Sequence, residues 1–161
     1  MTVASEPGRG TTFEIHLPFS NKKMRQNGSR KERLIKGAGT VLLVDDEAMI
    51  IEVGQAMLAH LGYRVMVAHG GEEAVETVRK MGNEIDLVLL DMIMPEMDGG
   101  KTFDAIRKIS PGLPVILSSG YAIDGQAEKI MGRGCNGFIQ KPFNISKLSG
   151  KIREVMDRTK N

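Results

Sequence analysis

The stretch VLLVDDE at residues 41–47 places four apolar residues directly before three carboxylates. A second stretch, LVLLDMIMPEMDG at residues 87–99, has the same form, with an apolar run that ends at Asp91. Short apolar runs without alternation are typical of strands that are buried on both faces of a parallel sheet. We therefore expect two parallel strands with acidic groups at their carboxyl ends.

From residue 40 onward, apolar runs of this kind alternate with amphipathic segments. Parallel strands need crossover connections, and crossovers place helices on both faces of the sheet. The sequence thus predicts an α/β domain built on a five-stranded parallel sheet. The predicted strands are 40–44, 64–68, 86–90, 114–118 and 137–140, and the predicted helices are 47–61, 70–80, 100–109, 124–131 and 145–158.

Residues 2–19 have a different pattern, with two short runs around the turn EPGRG. In the second run Phe13, Ile15 and Leu17 alternate with polar residues, as in a strand with one buried face. A hairpin of two strands is marginally stable in water. We expect this hairpin to belong to a larger sheet that the chain does not contain.

The segment between these two parts, residues 20–38, is strongly basic. Residues 20–39 hold seven Lys or Arg against one Glu, a net charge of +6, whereas residues 40–161 hold 14 Lys or Arg against 17 Asp or Glu, a net charge of −3. A segment rich in charge, Asn, Gly and Ser, without apolar periodicity, indicates a flexible linker. The basic run is therefore expected to be solvated, with no DNA partner for the chain.

Export and membrane insertion are not indicated. No run of about 18 apolar residues exists, and the first ten residues lack the layout of a signal peptide. The single cysteine, Cys135, cannot form an internal disulfide. These features predict a cytoplasmic protein with no membrane contact of its own.

Four of the five predicted strands are followed by side chains that can carry chemistry. These side chains should meet, because parallel strands share a carboxyl edge and open α/β sheets bind ligands there. The first strand is followed by Asp45, Asp46 and Glu47, the third by Asp91, and the fifth by Lys141, while the fourth ends in Ser118 and Ser119.

Clustered carboxylates repel one another unless a cation lies among them. Mg²⁺ binds a few carboxylate or carbonyl oxygens and keeps several waters. Asp46, Asp91 and the backbone carbonyl of Ile93 form a plausible magnesium site, and Asp45 can join it directly or through a water. At the same edge, Ser119 and Lys141 would stabilise a phosphoryl group transferred to the Asp91 carboxylate.

Four segments together resemble the signatures of bacterial response-regulator receiver domains: VLLVDDE, LVLLDMIMPEMDG, PVILSSGYA and GFIQKPF. The resemblance covers about residues 40–158 and predicts a receiver domain over residues 39–161. The spacing also fits, with 45 residues from Asp46 to Asp91, 28 to Ser119 and 22 to Lys141. It implies a flavodoxin-like (βα)5 fold with sheet order 2-1-3-4-5. It also implies that Asp91 accepts a phosphoryl group from the phosphohistidine of a histidine kinase or histidine phosphotransfer domain.

The resemblance implies a role for each matched residue. Asp45 and Asp46 correspond to the acidic pair that binds Mg²⁺, Asp91 to the phosphoacceptor, and Lys141, in a Lys-Pro bond that is commonly cis, to the lysine that binds the phosphate. Ser119 and Phe138 correspond to the hydroxyl and the aromatic residue of the switch that remodels the signalling surface. Gly100 is a mild departure that adds backbone freedom after Gly99.

The front segment TVASEPGRGTTFEIHLP resembles the last strands of a histidine-kinase ATP-binding domain, which typically end in G-x-G-T-x-F. Residues 1–19 would then be a remnant of that domain, and the chain would be part of a hybrid histidine kinase. The other kinase motifs are absent from the chain. Autonomous kinase activity is not expected, although a receiver catalyses its own phosphorylation and dephosphorylation.

Two alternatives remain. Asp45 or Asp46 can be read as a simple helix N-cap, and the domain can be read as a module for protein interaction or homodimerisation that acts regardless of phosphorylation. A phosphatase with an aspartate nucleophile would need D-x-D at the first strand, where this chain has DDE.

Overall fold

The computed structural model describes residues 1–16, 36–120 and 125–158. It contains two compact units, whose described parts are residues 1–16 in the first and residues 36–120 and 125–158 in the second. The helices and strands are β1 Thr2–Glu6, β2 Gly10–Glu14, β3 Thr40–Val44, α1 Ala48–His60, β4 Arg64–Ala68, α2 Gly71–Met81, β5 Leu87–Asp91, α3 Gly99–Ile109, β6 Val115–Ser119, α4 Gly125–Gly132, β7 Gly137–Gln140 and α5 Ile145–Arg158, with a short 3-10 turn at Gly82–Glu84.

The second unit is a parallel sheet in the order β4-β3-β5-β6-β7. In the chain order of these five strands this is 2-1-3-4-5, which confirms the predicted fold class. Every residue of β3, β5 and β6 is buried, as expected for strands that are covered on both faces. One apolar core lies between the sheet and helices α2, α3 and α4, and a second lies between the sheet and helices α1 and α5.

Two strands are displaced by one residue from their predicted positions, and both displacements concern the site. β5 extends to Asp91, because Asp91 is still paired with Ser118 of β6. β6 extends to Ser119, whose carbonyl accepts a hydrogen bond from the Lys141 amide at 2.7 Å. Asp91 and Ser119 are therefore held by the sheet itself and not by loops.

The first unit is the hairpin of β1 and β2, paired antiparallel with Thr2 opposite Glu14. Val3 and Phe13 pair directly, and their side chains are 52% and 63% exposed. β2 ends at Glu14, so the predicted strand was too long, and residues 17–19 lie outside the described parts. Ile15 is also 63% exposed, so the apolar face has no cover within the described hairpin.

No helix in the described parts of the chain is long and apolar enough to cross a membrane.

Candidate functional site

Lys141 joins the ends of two strands that are far apart in sequence. Its Nζ donates to Asp45 Oδ2 and to Asp91 Oδ1, both at 2.7 Å. The side chains are only 19%, 3% and 8% exposed for Lys141, Asp45 and Asp91. Since β3, β5 and β7 run parallel, their carboxyl ends meet at one edge. Asp91 ends β5, Asp45 and Lys141 directly follow β3 and β7, and the three side chains form a buried charged cluster.

Backbone amides fix the remaining carboxylate oxygens. Asp91 Oδ2 accepts from the amide of Ile93 at 2.8 Å, and Asp45 Oδ1 accepts from the amide of Glu47 at 3.1 Å. Each carboxylate therefore has one oxygen on the lysine and one on an amide. The N-cap residue of α1 is Glu47 and its cap has no side-chain hydrogen bond, so the alternative of simple capping does not describe Asp45 or Asp46.

The adjacent acidic residues Asp45 and Asp46 have different surroundings. Asp45 is buried against Lys141, whereas Asp46 is exposed and lines an acidic groove together with residues of α2 and the β5–α3 loop. The other acidic residues of that groove are Glu72, Glu73, Glu76 and Glu96. Asp45 therefore belongs to the charged cluster, whereas Asp46 lines the acidic groove.

The two serines at the end of β6 are both buried, and alternation along a strand points them to opposite faces of the sheet. Ser118 lines a groove beside α1 that also contacts Asp45 and Lys141. Ser119 therefore lies on the α2–α4 side, where Phe138 is half-buried against the core. The Lys141–Pro142 peptide bond is cis, as the resemblance implied.

Burial sets the electrostatics of this cluster. The pKa of Asp91 is raised, mainly because the carboxyl is buried, and the charge of Asp45 adds to the rise. The hydrogen bond and charge of Lys141 and the hydrogen bond from the Ile93 amide oppose it. For Lys141, burial lowers the pKa, but the hydrogen bonds and charges of Asp45 and Asp91 outweigh it, so the pKa is raised. Two ionised carboxylates against one ammonium leave a net negative cavity, which favours a further cation.

The raised pKa of Asp91 gives an expected pH dependence. A carboxyl that binds its proton more tightly when folded stabilises the fold below its unfolded-state pKa, and this contribution is lost as the pH rises through the folded pKa. In metal-free protein, we expect the Asp91 carboxyl carbon to titrate in NMR above the usual 3.8. The unfolding free energy of wild type minus that of Asp91→Asn should fall as the pH rises through the same range. A midpoint at or below 3.8 would show that Lys141 outweighs burial.

The site fits a hard divalent cation through few protein ligands. In residues 1–16, 36–120 and 125–158, no three His, Cys, Asp or Glu side chains converge as a metal cluster. Mg²⁺ does not need such a cluster, because it usually binds through one or two carboxylates and keeps its waters. The net negative pair of Asp45 and Asp91 is the observation that fits Mg²⁺, whereas the ligand roles of Asp46 and the Ile93 carbonyl stay predictions.

The sequence reasoning missed two features of the site. Gly99 lies so close to the Asp91 backbone that a Cβ on it would come within 2.5 Å of the Asp91 carbonyl oxygen. Helix α1 exposes Met49 and Val53, at 75% and 50%, beside the groove that contains Lys141. The apolar residues at 49–51, 53, 57 and 58 spread over more than one helix face, and this was the available signal.

Comparisons with known proteins agree with this geometry. The family model "Response regulator receiver domain" matches residues 41–153. Sensor kinase CckA of Brucella abortus is 36% identical over 163 residues, which cover 96% of this chain and 17% of that kinase. The chain spans only part of its curated relatives: transcriptional regulatory protein ZraR of Klebsiella oxytoca matches 74% of this chain over 27% of its own length.

A solved structure of the receiver domain of sensor histidine kinase PA1611 from Pseudomonas aeruginosa superposes with a TM-score of 0.68 at 28% identity, covering 75% of this chain and 99% of that one. That structure has a magnesium ion coordinated in its active-site cleft. The family model, the sheet order and the charged cluster at the strand ends lead to one conclusion. The chain belongs to the response-regulator receiver domain family of two-component systems.

Proposed function

We propose that this receiver accepts a phosphoryl group on Asp91 from a phosphohistidine of a partner protein and passes or stores it in a phosphorelay. The observation that carries the proposal is the contact of Lys141 Nζ with both Asp45 Oδ2 and Asp91 Oδ1 at 2.7 Å. A buried lysine between two carboxylates stabilises added negative charge, and a phosphoryl group brings such charge.

The chemistry is a direct transfer. One Asp91 carboxylate oxygen forms a bond to phosphorus as the phosphorus–nitrogen bond of the phosphohistidine breaks, and the leaving imidazole takes up a proton. The Ile93 amide on Asp91 Oδ2 orients the carboxylate. Lys141 would move its contact from the carboxylate to the phosphoryl oxygens, and Ser119 would donate a hydrogen bond to one of them. Phosphorylation would also move Phe138, the aromatic residue of the switch that remodels the signalling surface.

Asp45, Asp46, Asp91 and the Ile93 carbonyl would hold Mg²⁺. When bound, the ion supplies positive charge that offsets the transferring phosphoryl oxygens. In its absence, two ionised carboxylates and one ammonium leave an uncompensated negative charge beside the acceptor. We therefore expect phosphorylation to require a divalent cation.

The parent protein is proposed to be a hybrid histidine kinase, with residues 1–19 as the end of its ATP-binding domain, 20–38 as the linker and 39–161 as the receiver. The alignment with a sensor kinase covers 96% of the chain and so extends well beyond the 41–153 receiver match. The exposed apolar face of Val3, Phe13 and Ile15 suits a strand pair that packs on the rest of such a domain.

The donor must approach Asp91 over the surface around it. Beside the site, α1 exposes Met49 and Val53, and the loop after Asp91 exposes Ile93 at 60%. Exposed apolar side chains next to a reaction site indicate a protein contact surface. We place donor docking on this surface, here called the α1 surface.

The test compares two phosphoryl sources. Histidine-phosphorylated kinase cores and phosphotransfer proteins of the same genome should label Asp91 in the presence of Mg²⁺, and acetyl phosphate should label it without any donor protein. Met49→Glu places a charge on the α1 surface and should slow transfer from the protein donor by about 10-fold or more, since interface anchors are commonly worth over 1 kcal/mol. Acetyl phosphate labelling should not change.

Gln55→Glu is the matched control, because it adds the same charge at another exposed position of α1. Transfer should be close to wild type. If no phosphohistidine donor labels wild type, the phosphorelay proposal fails. Equal transfer to wild type and Met49→Glu would remove the α1 surface from the proposal and leave the acceptor role intact.

A further inference from the structure

The loop between β5 and α3, residues 92–98, carries two groups that act at Asp91. Its Ile93 amide donates to Asp91 Oδ2 at 2.8 Å, and its Ile93 carbonyl is the proposed magnesium ligand. The loop closes on itself where the Gly99 amide donates to the Met92 carbonyl at 3.0 Å. Its shape therefore determines where both Ile93 groups lie.

This loop contains backbone strain. Glu96 has a φ of 64°, in the left-handed region that non-glycine residues rarely adopt, and the Met97 amide donates to the Pro95 carbonyl at 2.6 Å in a tight turn. Strained backbone persists only where the surrounding structure holds it. Something must therefore hold residues 95–98.

Thr102 is one such support. It lies in α3, is fully buried, and its hydroxyl donates to the Asp98 carbonyl at 2.9 Å, with a longer contact of 3.4 Å to the Met97 carbonyl. A threonine hydroxyl often bonds to the carbonyl four residues earlier in a helix. Here the bond is made to the two residues that end the strained loop.

Gly71, the first residue of α2, packs against Thr102 and Met97. A Cβ built on it would lie 2.2 Å from Thr102 Oγ1 and 2.8 Å from the Met97 carbonyl oxygen, closer than real Cβ contacts. The α2 backbone thus contacts the hydroxyl and the loop with no room between them. The Thr102 hydroxyl is held between the α2 backbone and the end of the loop.

We infer that Thr102 is a positioning residue for the phosphoacceptor, acting with Gly71 to hold the loop that presents Ile93 to Asp91. The inference rests on the proposed function for its role in phosphorylation. A shift of Met97 and Asp98 is transmitted through Gly99, which touches the Asp91 and Met92 backbones. Neither Thr102 nor Gly71 touches the reacting atoms, so their effect passes through the Ile93 groups.

The experiment compares Thr102→Val, which removes the hydroxyl and keeps the volume, with Thr102→Ser, which keeps the hydroxyl. Two measurements are made on the full chain, well below its unfolding temperature: amide hydrogen exchange of Ile93 in metal-free protein, and labelling of Asp91 by acetyl phosphate with Mg²⁺. For Thr102→Val we expect Ile93 exchange to be several-fold faster and labelling to be slower by roughly 3- to 10-fold, since small misplacements are costly in catalysis. Thr102→Ser should match wild type in both.

A purely structural role gives a different result. The inference is overturned if Thr102→Val lowers only the unfolding temperature while Ile93 exchange and labelling stay as in wild type, or if Thr102→Ser behaves like Thr102→Val. Thr102→Ala serves as a second variant if the valine methyl is not accommodated beside Gly71. If wild type is not labelled at all, the proposed function fails, and the metal-free Ile93 exchange still decides the positioning role.

Discussion

Replacing Asp91 with asparagine should abolish phosphoryl labelling by acetyl phosphate and Mg²⁺. The amide has no negative oxygen to attack phosphorus, although it has nearly the same volume and can still accept from Lys141. We expect the rate to fall by at least about 100-fold, because removal of the attacking group of a covalent mechanism can cost far more than that. Mass spectrometry of the intact protein measures the incorporation.

Asp104→Asn is the matched control, because Asp104 lies in α3 away from Lys141 and pairs with Arg133 at the surface. That variant should take up one phosphoryl group as wild type does. If Asp91→Asn incorporates the group at the wild-type rate, another residue is the acceptor and the assignment of Asp91 is wrong.

Replacing Lys141 with methionine should have the second large effect, on both labelling and stability. The ammonium is the cation that contacts both buried carboxylates, at 2.7 Å each. Its loss leaves Asp45 and Asp91 buried without that partner, and breaking a buried ion pair costs about 3 kcal/mol, toward the low end of the usual range because Lys141 is 19% exposed. Labelling should fall by roughly 100-fold, the scale of one lost oxyanion donor.

Chemical denaturation in EDTA measures the stability change, and added Mg²⁺ should recover part of it, since the ion would replace the missing charge. Lys147→Met is the control at an exposed position of α5. The pKa of Lys141 is raised, so its contribution to wild-type stability should be present below 10.5 and be lost as the pH rises through the folded value. If Lys141→Met is as stable as wild type in EDTA, the proposed role of the charged cluster is contradicted.

Much of the α/β domain is predictable because its strands are largely apolar and helices such as α2, α3 and α5 are amphipathic. The runs at 40–44 and 64–68 are strands at those residues, and α5 begins and ends where the pattern changes. The meeting of Asp45, Asp91 and Lys141 also follows from sequence, since parallel strands share one edge. Side-chain type and position along a strand were sufficient for these expectations.

Other features depend on contacts that no local pattern records. Asp45 and Asp46 are adjacent aspartates, and only the path of the chain after β3 turns Asp45 toward Lys141 and Asp46 toward the acidic groove beside α2, here called the α2 groove. The contact between Gly71 and Thr102 joins residues 31 positions apart in sequence through a close approach of two helix starts. The pair of glycines at 70 and 71 indicates a turn, but the sequence does not show that Gly71 packs against Thr102.

The roles of Asp45, Asp91 and Lys141 in metal binding and phosphoryl transfer stay predictions. The same holds for Asp46, Ser119, Phe138 and the Ile93 carbonyl. In the structure, Ser119 ends β6 and Phe138 lies within β7. The movement of Ser119 and Phe138 on phosphorylation would belong to the phosphorylated state of the protein.

The central claim is that separate strand ends build one divalent-ion pocket around Asp91. Its most direct test is a titration of the metal-free chain with Mg²⁺, followed by the amide NMR signals of each residue. The account predicts saturable shifts that are largest at Asp46, Asp91 and Ile93 and that are lost in Asp91→Asn. Absence of saturable shifts, or shifts confined to the Glu72, Glu73 and Glu76 side of the α2 groove, would contradict it.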